Sequence, residues 1–235
     1  MHNARILENL VKQRDRLFNE LAATTVSELS KSEYIELKAG RLFVFDSDER
    51  EMLQELKRLS KETKFDAIYL GILEQYGKLN NDKLVNRFIP EMEKLLHAIV
   101  NSGKMEKVQA IFIEYDYYYH YTSSINAYGI HSYPIIEEPR YLTDEIDELQ
   151  PVLFLADGIN FEPAWISCEA LEPLEQLDVE FDMQRLFQLH SRVLLHQALA
   201  QLQKAGKLEL LQNRPFTFYI NEHDCEVMTL YRLEN

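Results

Sequence analysis

Residues 111–121 read IFIEYDYYYHY, and along them apolar and polar side chains alternate with the period of two that a β-strand requires. The odd positions carry isoleucine and tyrosine, whereas the even positions include Glu114, Asp116 and His120. Upstream of residue 108 the hydrophobic residues recur instead at the helical spacing of three and four. We therefore expect a helical region, followed by a strand with one apolar face and one polar face in contact with solvent.

Helical patterns dominate the first half of the chain. An apolar stripe from Leu7 to Leu21 predicts an amphipathic helix. Residues 65–77 show the most regular pattern and reach Gly77, a residue type that favours the position just after a helix. An Asn-Asn-Asp cap at residues 80–82 predicts another helix up to Gly103, which Pro90 should kink or break. We also expect helices over 26–37 and 46–59 and a strand at Leu42–Phe45.

Strand patterns cluster in the second half. After the strand at 111–121 we expect a return strand within 123–136, a buried strand at 152–155 among loops, and a hairpin of 216–220 with 227–231 around the turn Asn221–Asp224. A long helix is expected from about Asp182 to Lys204, ending at Gly206.

Strands that follow helices, without alternating with them, are typical of an α+β fold. The sequence therefore predicts an N-terminal helical part packed with a mostly antiparallel β-sheet and one long helix in the C-terminal half. We expect a helical region at 1–107 and an acidic α+β region at 108–235; the alternative is one continuous domain over 1–235.

The net charge of −14 arises entirely in the second half of the chain. Residues 1–110 hold 18 basic and 18 acidic side chains, whereas residues 111–235 hold 7 and 21. Residues 111–182, which we call the acidic stretch, carry 16 acidic side chains and a single basic one, Arg140. Such a surface repels the phosphates of nucleic acid and anionic membranes, so we expect neither as a partner. It favours a basic protein as partner.

Other signals indicate a cytoplasmic protein. Cys168 and Cys225 lie far apart and belong to no CxxC pair, which suits a reducing compartment. Residues 1–5 lead into a charged amphipathic pattern and not into an apolar signal core. The longest stretch without charged residues, 117–136, is too polar to span a membrane.

Motifs for common cofactors and catalytic centres are missing from the sequence. It contains no GxxxxGKS/T, GxGxxG, GxSxG or HExxH pattern. His190 and His196 are six residues apart on one predicted helix and would point to different sides of it. We therefore expect no cofactor and no metal, and an enzyme ranks second among the functions.

The first hypothesis combines the acidic charge with the tyrosines, because seven of the thirteen lie between residues 115 and 133. Tyrosine supplies rigid contact area with a hydrogen-bonding tip, as protein interfaces require. We expect a non-catalytic cytosolic protein whose acidic, Tyr-rich face at about 111–182 binds and inhibits a basic protein. In this outline it resembles the immunity proteins that bacteria keep against nuclease or pore toxins. The expected partner-binding residues are Glu114, Asp116, Tyr118, His120, Glu137, Glu138, Asp144, Asp147 and Trp165.

Alternatives remain for these same residues. Carboxylates and an imidazole on one strand face can hold a divalent cation, so the second hypothesis is a metal-dependent hydrolase using Glu114, Asp116 and His120. The sheet would then bring Glu222 or His223 near them. A third hypothesis is a subunit of a larger assembly that oligomerises through its N-terminal helices. Trp165 could be a core residue instead of an interface anchor.

Overall fold

The computed structural model describes residues 2–25, 54, 57, 63–115, 126–131, 134–136, 140–141, 152–155, 159–166, 168–171, 174, 179–211, 215–222 and 226–234. The helices among them are α1 (His2–Ala22), α2 (Thr63–Gly77), α3 (Asn81–Asn101), α4 (Cys168–Leu171) and α5 (Val179–Lys204). The strands are β1 (Ala110–Tyr115), β2 (Asn126–Ile130), β3 (Arg140–Tyr141), β4 (Leu153–Leu155), β5 (Phe216–Glu222) and β6 (Glu226–Leu233). Short 3₁₀ turns occupy Glu162–Ala164 and Glu209–Leu211.

These strands form one sheet in the order β3-β6-β5-β1-β2-β4. Its two central strands, β1 and β5, are parallel, and the other neighbouring strands are antiparallel. The fold is therefore α+β with a mostly antiparallel sheet and a long helix in the C-terminal half, as the sequence predicts.

The chain divides into two compact units. One unit comprises residues 1–13, 80–165 and 189–235, and the other comprises residues 14–79 and 166–188. Each unit draws on both halves of the sequence. The expected division into a helical region at 1–107 and an acidic α+β region at 108–235 stays a prediction.

The first unit contains the sheet, whose two faces carry different residues. One face bears Tyr115, Met228 and Tyr231 and packs against α5, since Arg192 and His196 of that helix contact all three side chains. We call this the helix-covered face. The opposite face carries a buried cluster of Ala110, Phe112, Ile130, Ile136, Tyr219 and Val227.

The second unit is built around buried tyrosines of α2. The Tyr69 hydroxyl donates a hydrogen bond of 2.6 Å to the carbonyl oxygen of Leu21. Tyr76 stacks on Phe18 and meets Phe187 edge to face, with ring centroids 5.4 Å apart in both pairs. Burial raises the pKa of Tyr69 and of Tyr76 to about 12.

The predicted helices α1, α2 and α3 are confirmed with small changes at their ends. Asn80 is the N-cap of α3, and its side-chain oxygen accepts a 2.9 Å hydrogen bond from the Lys83 amide. Of the two alternatives expected at Pro90, the break is wrong, since α3 continues through this residue, and the kink stays a prediction. Gly77, expected to follow α2, is its last residue.

Helix α5 begins three residues before its predicted start and ends before Gly206, which has a φ of 76°. Its residues 186–196 are buried on all sides, although the pattern predicts a single apolar stripe. The buried residues include the polar side chains of Gln188, His190 and Arg192. In the described portion of the chain, no helix is long and apolar enough to cross a membrane.

Two strand predictions are wrong in detail. Strand β4 is confirmed at 153–155, but only Leu155 of its three residues is buried. Among the described strands β4 lies at an edge of the sheet, and the Phe154 side chain is 56% exposed. The 216–233 hairpin is confirmed, yet β5 runs to Glu222, so Asn221 belongs to a strand and not to the turn. The predicted helix at 26–37, the strand at 42–45 and most of the helix at 46–59 lie outside the described residues.

Candidate functional site

The structure describes two of the nine expected partner-binding residues, Glu114 and Trp165. The other seven lie outside the described residues: Asp116, Tyr118, His120, Glu137, Glu138, Asp144 and Asp147. The acidic face at 111–182 and its contact with a basic protein therefore stay predictions. Glu114 and Trp165, in contrast, can be placed precisely.

Glu114 lies in the centre of the sheet, where its side chain is 5% exposed. At Glu114 the expectation of a polar strand face in contact with solvent is therefore wrong, because all six residues of β1 are buried. Strands β2 and β5 flank β1 on either side. Parallel strand pairs are typically covered on both faces, and β1 forms such a pair with β5.

Polar side chains form a row across three neighbouring strands of the opposite face. Glu114 of β1 pairs in register with Asn126 of β2 on one side and with Asn221 of β5 on the other. Directly paired residues carry their side chains on the same face of a sheet. Asn126 is exposed, whereas Asn221 is 1% exposed. The row thus runs from the surface into the sheet interior.

The Tyr128 hydroxyl adjoins this row. It donates a long hydrogen bond of 3.5 Å to Oε2 of Glu114 and is also hydrogen-bonded to the Asn126 side chain. Burial and the Glu114 carboxylate raise the pKa of Tyr128 above its usual value. Tyr128 therefore remains a neutral donor near pH 7. We call Glu114, Asn126, Tyr128 and Asn221 the polar row.

Asn221 has the least satisfied side chain of the polar row. Within the part of the chain that the structure describes, neither its Oδ1 nor its Nδ2 atom has a hydrogen-bond partner. A buried amide can accept through Oδ1 and donate twice through Nδ2, and leaving it unpaired costs about 1–3 kcal/mol. Native proteins contain few such unsatisfied groups, and each one requires a physical explanation.

A second polar group lies behind β1, on the helix-covered face. The Arg192 side chain is 4% exposed. Its Nη2 donates a 2.5 Å hydrogen bond to the Tyr115 hydroxyl, and its Nη1 lies 3.3 Å from Sδ of Met228. The guanidinium carbon is also 5.6 Å from the Tyr115 ring centroid. Arg192 thus ties α5 to the ends of β1 and β6 and serves the architecture of the sheet.

Trp165 packs within the first unit. Its ring stacks on Phe161 at 5.2 Å and meets Tyr115 edge to face at 5.5 Å. Its Nε1 donates a 3.0 Å hydrogen bond to Oγ of Ser191. These contacts favour the core role among the two that the sequence leaves open; the partner-binding role stays a prediction.

Both histidines of α5 bind protein groups. Nε2 of His190 donates to Oδ1 of Asn81 at 2.9 Å, and Nδ1 of His196 donates to the Leu230 carbonyl at 2.8 Å. Burial lowers the pKa of His196, so its ring is neutral near pH 7. Among the described residues, no three His, Cys, Asp or Glu side chains are grouped closely enough to hold a metal ion.

A separate groove of about 300 Å³ lies between the end of α3 and the turn after α5. Its rim carries an ion pair of 3.5 Å between Lys207 and Glu93, together with the exposed Glu209. Leu210, at its edge, is 62% exposed. The groove lies outside the acidic stretch, so its residues offer control positions for tests of that stretch.

Comparison with protein-family models, with curated proteins and with solved structures found no match to this chain. The candidate site therefore rests on its own geometry.

Sequence reasoning missed Asn221 and Tyr128 as members of the polar row. The sequence places Asn221 in the turn because Asn221 and Asp224 are residue types that favour turns and lie between two strand patterns. One signal was available: the sheet was expected to bring Glu222 near Glu114. The register pairs the backbone of Glu222 with Tyr115 and not with Glu114. The approach of the Glu222 side chain to Glu114, Asp116 and His120 therefore stays a prediction. His223 lies outside the described residues.

Proposed function

We propose that this protein is a non-catalytic cytosolic binding protein whose acidic stretch binds and inhibits a basic protein. The role would be that of a bacterial toxin immunity protein. The observation that carries the proposal is the charge distribution: 16 acidic side chains and only Arg140 as a basic one lie within residues 111–182. An excess of this kind steers a cationic partner toward one face and fixes its orientation there.

Exposed aromatic surface inside the acidic stretch supports the proposal. Phe154 is 56% exposed on the edge strand β4 and meets Tyr128 edge to face at 5.5 Å. Aromatic residues are enriched in protein interfaces, and an edge strand offers backbone groups to a partner. The pair thus provides an apolar anchor at a position within the acidic stretch of the sequence, which suits a partner of mixed basic and apolar surface.

The test begins with affinity capture from a lysate at low salt, followed by a wash at about 0.5 M salt, where the Debye length falls to roughly 4 Å. The proposal expects one basic protein that the wash releases. That protein is then purified, and its affinity for defined variants is measured by calorimetry. Recovery of no basic protein would contradict the proposal.

Two charge variants distinguish the effect of the acidic stretch on binding from the effect of net charge. One variant combines Glu137→Gln, Glu138→Gln, Asp144→Asn and Asp147→Asn. The control combines Glu8→Gln, Glu20→Gln, Glu74→Gln and Glu106→Gln, four exposed carboxylates of the first half with the same change in net charge. We expect the first variant to weaken binding about tenfold or more and the control about twofold or less. Equal losses would mean that net charge alone drives the association.

A test variant and a matched control examine the contribution of Phe154 to the proposed interface. Phe154→Ala should weaken binding of the purified partner, because an exposed aromatic side chain is lost from the proposed interface. Leu210→Ala removes a similarly exposed apolar side chain outside the acidic stretch and should leave binding unchanged. The same affinity for both variants would exclude β4 from the interface.

A metal-dependent hydrolase using Glu114, Asp116 and His120 remains the second candidate. One observation favours it: the parallel pairing of β1 with β5 brings Glu114 beside Asn221 and Tyr115 beside Glu222 where these two central strands end. Oxygen ligands from two strands could then hold a divalent cation. Binding of Mn²⁺ that Glu114→Gln abolishes and Glu209→Gln retains would support it. No binding of Mn²⁺ by the unmodified protein would remove it.

A further inference from the structure

The side chains of Glu114 and Asn221 stand next to each other in the buried centre of the sheet. Their strands are paired in register, so the two backbones are about 4.8 Å apart and both side chains lie on the same face. Both residues are at least nine-tenths buried. A carboxylate and a primary amide are expensive to bury, and here they occupy adjacent positions.

The unsatisfied amide of Asn221 is the observation from which we argue for a ligand at this pair. Neither of its polar atoms is hydrogen-bonded by any part of the chain that the structure describes. A residue retained only for packing would be better replaced by a leucine of similar volume. Natural proteins keep such costly groups where function requires them.

The neighbouring residues define how a ligand would approach. Asn126, paired with Glu114 on the other side, is exposed, and Tyr128 links it to the carboxylate. The row is therefore exposed at Asn126 and buried at Asn221. A ligand group that enters beside Asn126 would meet Glu114 first and Asn221 beyond it.

The chemistry of the pair selects a cation with several N–H donors. The Glu114 carboxylate and Oδ1 of Asn221 are both acceptors, and the carboxylate repels anions. A guanidinium or ammonium group can donate to both acceptors.

We propose that Glu114 and Asn221 together bind one arginine or lysine side chain of the basic protein partner. This inference rests on the proposed function, and it identifies the two residues that bind a basic side chain of the partner. Long-range attraction by the acidic stretch brings the partner close, and the Glu114–Asn221 pair holds one defined side chain. Loss of this contact therefore affects dissociation more than association.

A small probe tests the site without the partner. The probe is N-acetyl-arginine amide, and its control is N-acetyl-citrulline amide, which has the same shape without the charge. Amide NMR spectra of the labelled protein follow each titration, and the Asn221 side-chain signals are assigned by their loss in Asn221→Leu. We expect the arginine probe to shift those signals in the millimolar range and the citrulline probe to leave them unchanged. Equal shifts by both probes, or none by either, would overturn the inference.

Three variants identify the residues responsible. Glu114→Gln keeps the shape and should weaken probe binding about tenfold or more, since a charged hydrogen bond is lost. Asn221→Leu should weaken it severalfold and raise the thermal midpoint. Glu209→Gln changes an exposed carboxylate outside the polar row and should have no effect. A lowered thermal midpoint for Asn221→Leu would mean that the amide stabilises the fold, which contradicts the inference. Unchanged probe binding in Glu114→Gln would mean that the probe binds at another site, which contradicts it as well.

The outcomes also separate this inference from the proposed function. If the purified partner loses affinity in the four-site charge variant but not in Glu114→Gln, the proposed function stands and the inference fails. If no partner is captured yet the arginine probe binds through Glu114 and Asn221, the site stands and the proposed function fails. Binding of Mn²⁺ that depends on Glu114 would assign the pair to the second candidate and overturn the inference.

Discussion

Arg192 of α5 donates a hydrogen bond of 2.5 Å to the hydroxyl of Tyr115, the last residue of β1. The two side chains are separated by 77 positions in the sequence and are both buried. A guanidinium cannot lose its proton inside a protein, so it stays charged and needs its acceptors. This contact thus fixes α5 against the end of the strand that carries Glu114.

Replacing Arg192 tests how much this contact stabilises the sheet. Arg192→Ala should lower the free energy of unfolding by about 3 kcal/mol, because packing and a charged hydrogen bond are lost together. Arg87→Ala, at an exposed position of α3, should change it by about 0.5 kcal/mol or less. Urea unfolding measures both values. A loss no larger than that of Arg87→Ala would show that Arg192 does not hold the sheet.

Acidic pH should destabilise the protein through His196. Burial holds its folded pKa below 6.5, so the unfolded state binds the proton more tightly. The contribution of His196 to stability is therefore complete above about pH 6.5 and is lost as the pH falls through that value toward the folded pKa. The free energy of unfolding, measured in urea at pH 7 and pH 5, should be lower at pH 5.

The control for this pH dependence is a second histidine. His196→Gln should flatten the slope between pH 5 and pH 7, because the buried titrating group is gone. His97→Gln alters an exposed histidine and should leave the slope unchanged. An unaltered slope in His196→Gln would assign the pH dependence to other groups.

Two glycines should respond to alanine in opposite directions. Gly206 ends the long helix with a φ of 76°, and a Cβ there would lie 2.9 Å from Oε1 of Glu209. Gly206→Ala should therefore destabilise the protein by about 1 kcal/mol. Gly71 lies within α2, and a Cβ added there would have open space around it. Gly71→Ala should therefore raise the free energy of unfolding by about 0.5–1 kcal/mol. Thermal unfolding measures both, and shifts of the same sign would refute the argument.

The cap of α3 provides a local test. Asn80→Ala removes the side-chain oxygen that accepts from the Lys83 amide and should cost about 1 kcal/mol. Asn86→Ala lies on an exposed turn of the same helix, where alanine is the better helix former, and should stabilise slightly. Chemical denaturation compares the two variants. A stability for Asn80→Ala equal to that of the unmodified protein would show that water replaces the cap.

Local features of this fold were predictable because their signals lie close together in the sequence. The cap at Asn80, the end of α5 before Gly206 and the hairpin of β5 with β6 each depend on residues within a few positions of one another. Hydrophobic spacing and turn-forming residues encode such elements directly.

The burial of Glu114 was not predictable by the same reasoning. Its surroundings depend on β5, about one hundred residues further along the chain, and a single strand pattern does not tell whether both faces will be covered. The exposure of Phe154 was not predictable either. An apolar run of four residues has the same pattern in a central strand as in an edge strand, so the sequence does not tell whether the strand is buried. The candidate site was predicted in part: Glu114 came from the strand pattern, whereas Asn221 and Tyr128 required the register of the sheet.

The parallel pairing of β1 with β5 also has a consequence during synthesis. Strand β1 can pair with β2 soon after both have left the ribosome, but its other edge waits until residues 216–222 have been made. Until then an apolar strand has one side without a neighbour, a state that favours association with other chains. A polypeptide that stops before residue 216 would keep that edge open, so the middle of the sheet closes only after most of the chain has been made.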